Sequence, residues 1–221
     1  MIHLAGKNQE DIIHRATEEL KIYEEEGVDG AIIEDYHGTN EDFGFVLKTM
    51  PVEEFKLVLG INSLRTPYLS IEIAHHFKAR FVQFDDVLGP EDRYQIEREN
   101  YDYISVLGGV RFKYTPPTGN SLEEDLEQAK LRCDAIVTTG EGTGIETPIE
   151  KLRQFRNSLP NFPLIVGAGV NLDNAYEQLT ITDGAIVGSY FKPEGNTHLP
   201  VDRKRVRDLM EIVRKLRAGI D

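Results

Sequence analysis

The sequence predicts an α/β fold of one kind: a single (β/α)8 TIM barrel of the phosphate-binding type, occupying residues 1–221 as one domain. Three observations carry the prediction. Short apolar runs alternate with amphipathic stretches in units of about thirty residues, as barrels of this class require, and no Pro/Ser-rich linker or low-complexity segment interrupts them. The stretch Leu164 to Lys192 reads strand, glycine turn, helix, strand, glycine turn, with breaks at Gly167-Ala168-Gly169 and Gly188-Ser189 and only one helix to follow. An open doubly wound sheet would place a G-x-G-x-x-G turn after its first strand, and the residues after Leu4 do not supply it.

Met1 to Leu4 is a short apolar first strand. Asp11 to Glu26 carries Ile12, Ile13, Ala16, Leu20 and Tyr23 at helical spacing, with Gly27 as its stop. Gly30 to Glu34 (GAIIE) is a buried strand, and a helix spans Glu41 to Met50. Lys56 to Ile61 is the third strand. The next helix opens at Thr66-Pro67, Thr66 capping and Pro67 in the first turn, and runs to Phe77. Phe81 to Asp85 (FVQFD) is the fourth strand, and Gly89-Pro90 starts a polar helix to about Tyr101. Within YISVLGGVRFKY we place the fifth strand at Val110 to Tyr114. Ser121 and Glu124 have capping-box spacing at the head of a helix to Arg132. Ala135 to Thr138 is the sixth strand and Pro148 to Leu159 the helix after it. Leu164 to Val166 is the seventh strand, Asn171 the N-cap of a helix from Leu172 to Leu179, and Ala185 to Val187 the eighth strand. Val201 to Leu216 closes the chain, with Arg203, Lys204, Arg205 and Arg207 alternating with Val206, Leu209 and Met210 as the solvated face of an outer helix. Such a face leaves room for a homo-oligomer.

A net charge of −13 argues against a nucleic-acid partner, because phosphate backbones are met by clustered Lys and Arg. No apolar run approaches the length of a membrane span, and the N-terminus has no signal-peptide core. The single Cys133 excludes a disulfide framework and a cysteine-based metal site, reads as a packed helix-end residue, and fits a reducing cytoplasm.

In this fold the chemistry collects at the carboxyl ends of the strands. Those ends supply His3; Glu34 and Asp35; Asn62 and Ser63; Gln83, Asp85 and Asp86; Arg111 and Lys113; and Thr138, Thr139 and Glu141. Alternation along a strand puts Gln83 with Asp85 and Arg111 with Lys113 on shared faces. Carboxylates and cations in one mouth would hold Glu34 or Asp85 ionised as a general base and lower the Lys113 pKa by desolvation, for proton transfer or Schiff-base chemistry. The same groups could instead form an internal ion-pair network that catalyses nothing. Asp85 and Asp86 beside Glu34 could also hold Mg²⁺ through oxygen; no other cofactor is expected. His37, His75, His76 and His198 show no metal-ligand pattern. The two glycine turns expose backbone amides to a phosphate, at Gly167, Ala168, Gly169, Gly188 and Ser189.

Seven ordered blocks extend this reading. They are M-I-H-L at 1–4, E-G-V-D-G-A-I-I-E at 26–34, G-I-N-S-L-R at 60–65, V-T-T-G-E-G-T-G at 137–144, V-G-A-G-V-N at 166–171 with Asn174, D-G-A-I-V-G-S-Y-F-K at 183–192 and P-V-D-R-K-R-V at 200–206. With them the chain resembles the BtpA/SgcQ family of barrel proteins over nearly its whole length. The resemblance implies the barrel fold, and by position Glu34, Asn62, Arg65, Lys113, Thr143 and Gly144 match the family's residue types. The chain departs from the pattern at Ala5-Gly6-Lys7-Asn8, at Gln83 to Asp86 and at Tyr114. The family name implies an assembly factor for a photosynthetic membrane complex, while other members are linked to sugar metabolism.

The expectation is therefore a cytoplasmic enzyme acting on a small phosphorylated metabolite, of sugar-phosphate isomerase or carbon–carbon lyase type. Glu34, Asp85 and Lys113 would transfer protons; Asn62, Arg65, Arg111 and Thr143 would position the substrate; the two glycine turns would hold its phosphate. Bulkier residues at Gly169 and Gly188 are expected to abolish binding and spare the fold. The rivals are a non-enzymatic biogenesis factor and an Mg²⁺-dependent hydrolase.

Overall fold

The structure, a computed structural model, describes residues 1–89 and 98–219. Eight parallel strands form one sheet in chain order: β1 (Ile2–His3), β2 (Gly30–Glu34), β3 (Val58–Asn62), β4 (Phe81–Phe84), β5 (Ser105–Gly109), β6 (Ala135–Thr138), β7 (Leu164–Val166) and β8 (Gly184–Ala185). Between them run α1 (Gln9–Glu26), α2 (Asn40–Thr49), α3 (Ser70–His76), α4 (Leu122–Lys130), α5 (Ile149–Ser158) and α6 (Ala175–Ile181), and α7 (Arg203–Ala218) follows β8. This is the TIM-barrel architecture, and the amino terminus of Met1 donates to Val187 O at 2.9 Å across the seam between the first and last strands.

Alternation sorts the strand residues into two layers. Ala31, Ile33, Ile61, Val82, Val106 and Ile136 face the helices and pack into the core. The registers Glu34↔Asn62 and Gln83↔Leu107 put the other parity inside the barrel. Helix α1 shows why its sequence works. Asn8 caps it by accepting from Asp11 N, Ile12, Ala16, Leu20 and Tyr23 form its buried stripe, and Gly27 ends it in the left-handed region at φ 83°. Ser121 and Glu124 make the capping box of α4.

Four expectations need correction. The fifth strand lies earlier than Val110 to Tyr114, because Gly108 and Gly109 are strand residues, not a turn. A Cβ on Gly109 would stand 2.0 Å from Asp85 O, and one on Gly108 2.8 Å from the Cys133 side chain, so the strand is glycine where it touches its neighbours. Asn171 does not cap a helix at Leu172. Its Oδ1 accepts from Asp173 N and its Nδ2 donates to Gly169 O, and α6 begins only at Ala175. The Thr66 hydroxyl is paired with Ser63 Oγ at 2.8 Å, leaving it no capping bond, and a 3₁₀ turn at Pro67–Leu69 precedes α3. The eighth strand ends at Ala185, although Ile186 N still donates to Val166 O. The polar helix expected from Gly89-Pro90 falls mostly on residues 90–97, outside the described residues.

Candidate functional site at the carboxyl ends of the strands

Four adjacent strands bring four polar side chains into the barrel. Asn62 Nδ2 donates to Glu34 Oε1 at 3.0 Å and to Gln83 Oε1 at 2.7 Å, with Asp85 Oδ1 at 3.3 Å. Gln83 Nε2 donates to Asp85 Oδ1 at 2.7 Å. His3 Nε2 lies 3.5 Å from Glu34 Oε2, and His3 Nδ1 is buried without a partner. His3, Glu34, Asn62 and Gln83 are all buried, whereas Asp85 is partly open. Two carboxyl groups thus share one amide donor in a low-dielectric setting, where the charged forms are disfavoured.

The electrostatics follow from that burial. Glu34 is pushed up to about 8, first by desolvation and then by the charge of Asp85, with Lys113 pulling the other way. Asp85 is raised as well, chiefly by desolvation, against its bonds from Gln83 and Asn62 and the nearby Lys113. His3 falls to about 2 because its imidazolium would be buried and would face the amino terminus and Lys192. At neutral pH the site therefore presents a protonated Glu34 beside a neutral imidazole. The expectation of a Glu34 carboxylate held ionised by its cations is reversed, because desolvation outweighs Lys113.

Lys113 reaches the site from a loop, not from a strand. Its Nζ donates to Thr143 Oγ1 at 3.2 Å and its backbone N to Thr139 Oγ1 at 2.6 Å. Arg111 and Tyr114 on either side hold positive φ of 47° and 64°. Such backbone is costly for residues with a Cβ and persists only where the surroundings enforce it. At Arg111 the enforcing group is one that sequence reasoning missed. Lys151, on α5, donates to Arg111 O at 2.7 Å and Thr139 O at 2.6 Å, and burial lowers it to about 8. Nothing in the pattern of α5 distinguishes Lys151 from an ordinary surface lysine.

Arg111 does not share a strand face with Lys113. Its Nε donates to buried Asp125 at 3.1 Å and its NH2 to Asn120 O, which ties the loop to the head of α4. Arg65 likewise binds Asp35 O through NH1 at 2.5 Å, while the Asp35 carboxylate takes Leu64 N. Asp86 accepts from Leu88 N and Gly89 N through Oδ1 in its own turn. Among the described residues no group of three or more His, Cys, Asp or Glu is placed to hold a metal ion.

The two glycine turns converge through the loop after β6. A Cβ on Gly169 (φ 71°) would lie 2.4 Å from the backbone of Glu146, and one on Gly144 would lie 3.0 Å from Ser189 Oγ. A Cβ on Gly188 would meet the His3 ring at 2.8 Å. Gly167 N donates to Thr138 O, but the amides of Ala168, Gly169, Gly188 and Ser189 have no protein acceptor among the described residues. Free amides at adjoining turns are the donor set an anion uses. The same contacts correct the expectation that a bulkier Gly169 would leave the fold unchanged, because its Cβ would meet main chain.

A family model described as the BtpA family matches residues 3–215. An uncharacterized protein of Methanocaldococcus jannaschii is 29% identical over 95% of this chain and 89% of its own length. The photosystem I biogenesis protein BtpA of Synechocystis is 26% identical over 93% of this chain and 81% of its own length. A thiamine phosphate pyrophosphorylase from Pyrococcus furiosus superimposes with a TM-score of 0.66 at 21% identity, covering 90% of both chains, a likeness of fold.

Proposed function

The chain belongs to the BtpA family, and on that footing we propose that it is an enzyme that moves protons on a small phosphorylated metabolite, as a sugar-phosphate isomerase or a carbon–carbon lyase does. The observation that carries the proposal is the shared Asn62 donor between Glu34 and Asp85 inside the barrel mouth. Two carboxyl groups with raised pKa values and one hydrogen-bond network can exchange a single proton near neutral pH. Glu34, protonated, acts as the acid; Asp85, more open and bonded by Gln83, acts as the base; Lys113 supplies the positive charge that a developing enolate needs. The free amides of Ala168, Gly169, Gly188 and Ser189 hold the phosphate. The likeness in fold to a phosphate-ester enzyme supports this reading.

The test is a thermal-shift screen against a panel of sugar phosphates. A ligand at a hundred times its Kd should raise Tm by about 5–10 °C, and Lys113→Ala should abolish turnover of the ligand found. A panel with no shift, or a Lys113→Ala variant with full turnover, refutes the proposal. A second reading, a biogenesis factor that works by docking, is favoured by the exposed Tyr114 (76%) and Ile145 (55%), which meet around Gly142 at the same mouth. It requires a stable protein partner and an in-cell activity indifferent to Lys113→Ala.

A further inference from the structure

The opposite end of the barrel is only partly filled. The amino-terminal ends of the strands surround a cavity of about 720 Å³ whose lining includes none of His3, Glu34, Asn62, Gln83 or Asp85. Its interior wall is Ile32, Phe81, Leu107 and Ile165, with Val58 beside them, while Gly30, Ser105 and Gly184 bring almost no side-chain volume. Barrels of this class normally pack three layers of bulky side chains into that space. The cavity continues through the seam between β8 and β1, where the Met1–Val187 contact stands in place of a ladder, to reach Leu209, Met210, Val213 and Leu216 on the inner face of α7.

The cavity opens to solvent at its rim, so an occupant can enter it without disrupting the barrel. Water is a poor occupant, because each molecule needs two to four polar partners and most of these walls are hydrocarbon. The volume falls within the roughly 300–1,000 Å³ typical of small-molecule sites. The rim specifies the other end of the occupant. Asp29 is paired with Arg217 at 2.6 Å and Asp183 with Arg156 at 2.6 Å, whereas the exposed guanidinium of Arg80 has no partner among the described residues.

We propose that this cavity binds a free medium-chain carboxylate, with its alkyl chain between the barrel floor and α7 and its head on Arg80. The site is separate from the mouth and rests on no part of the reaction proposed above.

Gly184 offers a clean way to close it, since a Cβ there meets nothing within 4 Å. Calorimetric titration with decanoate should show one saturable site per chain. Gly184→Leu should weaken decanoate at least tenfold with an unchanged circular dichroism spectrum, and Leu107→Phe serves as a second filling variant should the first misfold. Arg80→Ala should weaken decanoate about fivefold, the loss of one exposed charge contact, and leave decanol unaffected. The proposal is overturned by an absence of saturable decanoate binding, by filled variants that fold and bind as the wild type does, or by an Arg80→Ala effect that is equal for decanoate and decanol.

Discussion

Glu34→Gln turns the electrostatics of the mouth into a stability measurement. The folded carboxyl titrates at about 8, against 4.5 for an ordinary glutamate. Between those values the folded chain holds a proton that the unfolded chain has released. Stability from this group is therefore fully present below pH 4.5 and is lost as pH rises through 8. The separation corresponds to roughly 5 kcal/mol, comparable with the total stability of many domains. Glutamine keeps the shape and the acceptor for Asn62 Nδ2 but has no proton to lose. The wild type alone would not isolate the effect. His3, depressed to about 2, contributes stability that grows with pH toward 6.5, and so works in the opposite direction. The difference between wild type and variant removes that background. Urea unfolding should be followed by circular dichroism at pH 5, 6, 7 and 8, because the chain has no tryptophan to report by fluorescence. The two proteins should be close in stability at pH 5, and the variant should pull ahead by several kcal/mol at pH 8. A constant difference across that range would show that Glu34 ionises at an ordinary pH inside the fold, and the assignment of an acid role would fail with it.

Three further outcomes follow from the packing. Lys192→Met should cost about 3–5 kcal/mol in urea unfolding, because the Lys192 ammonium is fully buried against Glu19 at 2.5 Å and its removal leaves a buried carboxylate with no counter-charge and only Val201 N as a donor. Adding Glu19→Leu should recover much of that loss, and a double variant no better than the single would refute the assignment. Gly169→Ala should destabilise by about 2–4 kcal/mol, from left-handed strain and the clash with Glu146, and a Tm within 2 °C of wild type (a threshold set from about 1 kcal/mol) would contradict the close approach. Lys78→Gly should raise stability by roughly 0.5 kcal/mol. Lys78 (φ 60°) sits at the left-handed position of a Schellman cap whose bonds run from Ala79 N to Ala74 O and from Lys78 N to His75 O, and glycine fits that position better. Unchanged or lower stability would mean that the exposed pair with Glu53 outweighs the strain.

The barrel was legible because periodicity reports which face of an element is buried. The buried stripe of α1, the apolar run of β2 and the capping box at Ser121 each needed only local residues. The fifth strand was not, because its glycines answer to Asp85 and Cys133, which are distant in sequence. The cluster of His3, Glu34, Gln83 and Asp85 could be assembled from strand ends alone, since a parallel barrel aligns those ends. The direction of the Glu34 shift could not, because it depends on how much water the packing removes. Arg111 and Arg65 show the same limit. A cation near a strand end is visible in the sequence, but whether it faces the mouth or is engaged by Asp125 or Asp35 is decided by the loop.

The Thr139 residue carries a consequence for engineering. Its hydroxyl takes Lys113 N, its carbonyl takes Lys151 Nζ, and the same ammonium holds Arg111 O. Barrels are commonly treated as eight interchangeable modules, each strand with its own following segment. Here the modularity stops between the fifth and sixth units, whose backbones are knotted through a single lysine. A graft that swaps the Arg111–Thr118 segment alone into another barrel would arrive without its clamp. The smallest transplantable piece runs from Ser105 to Ser158.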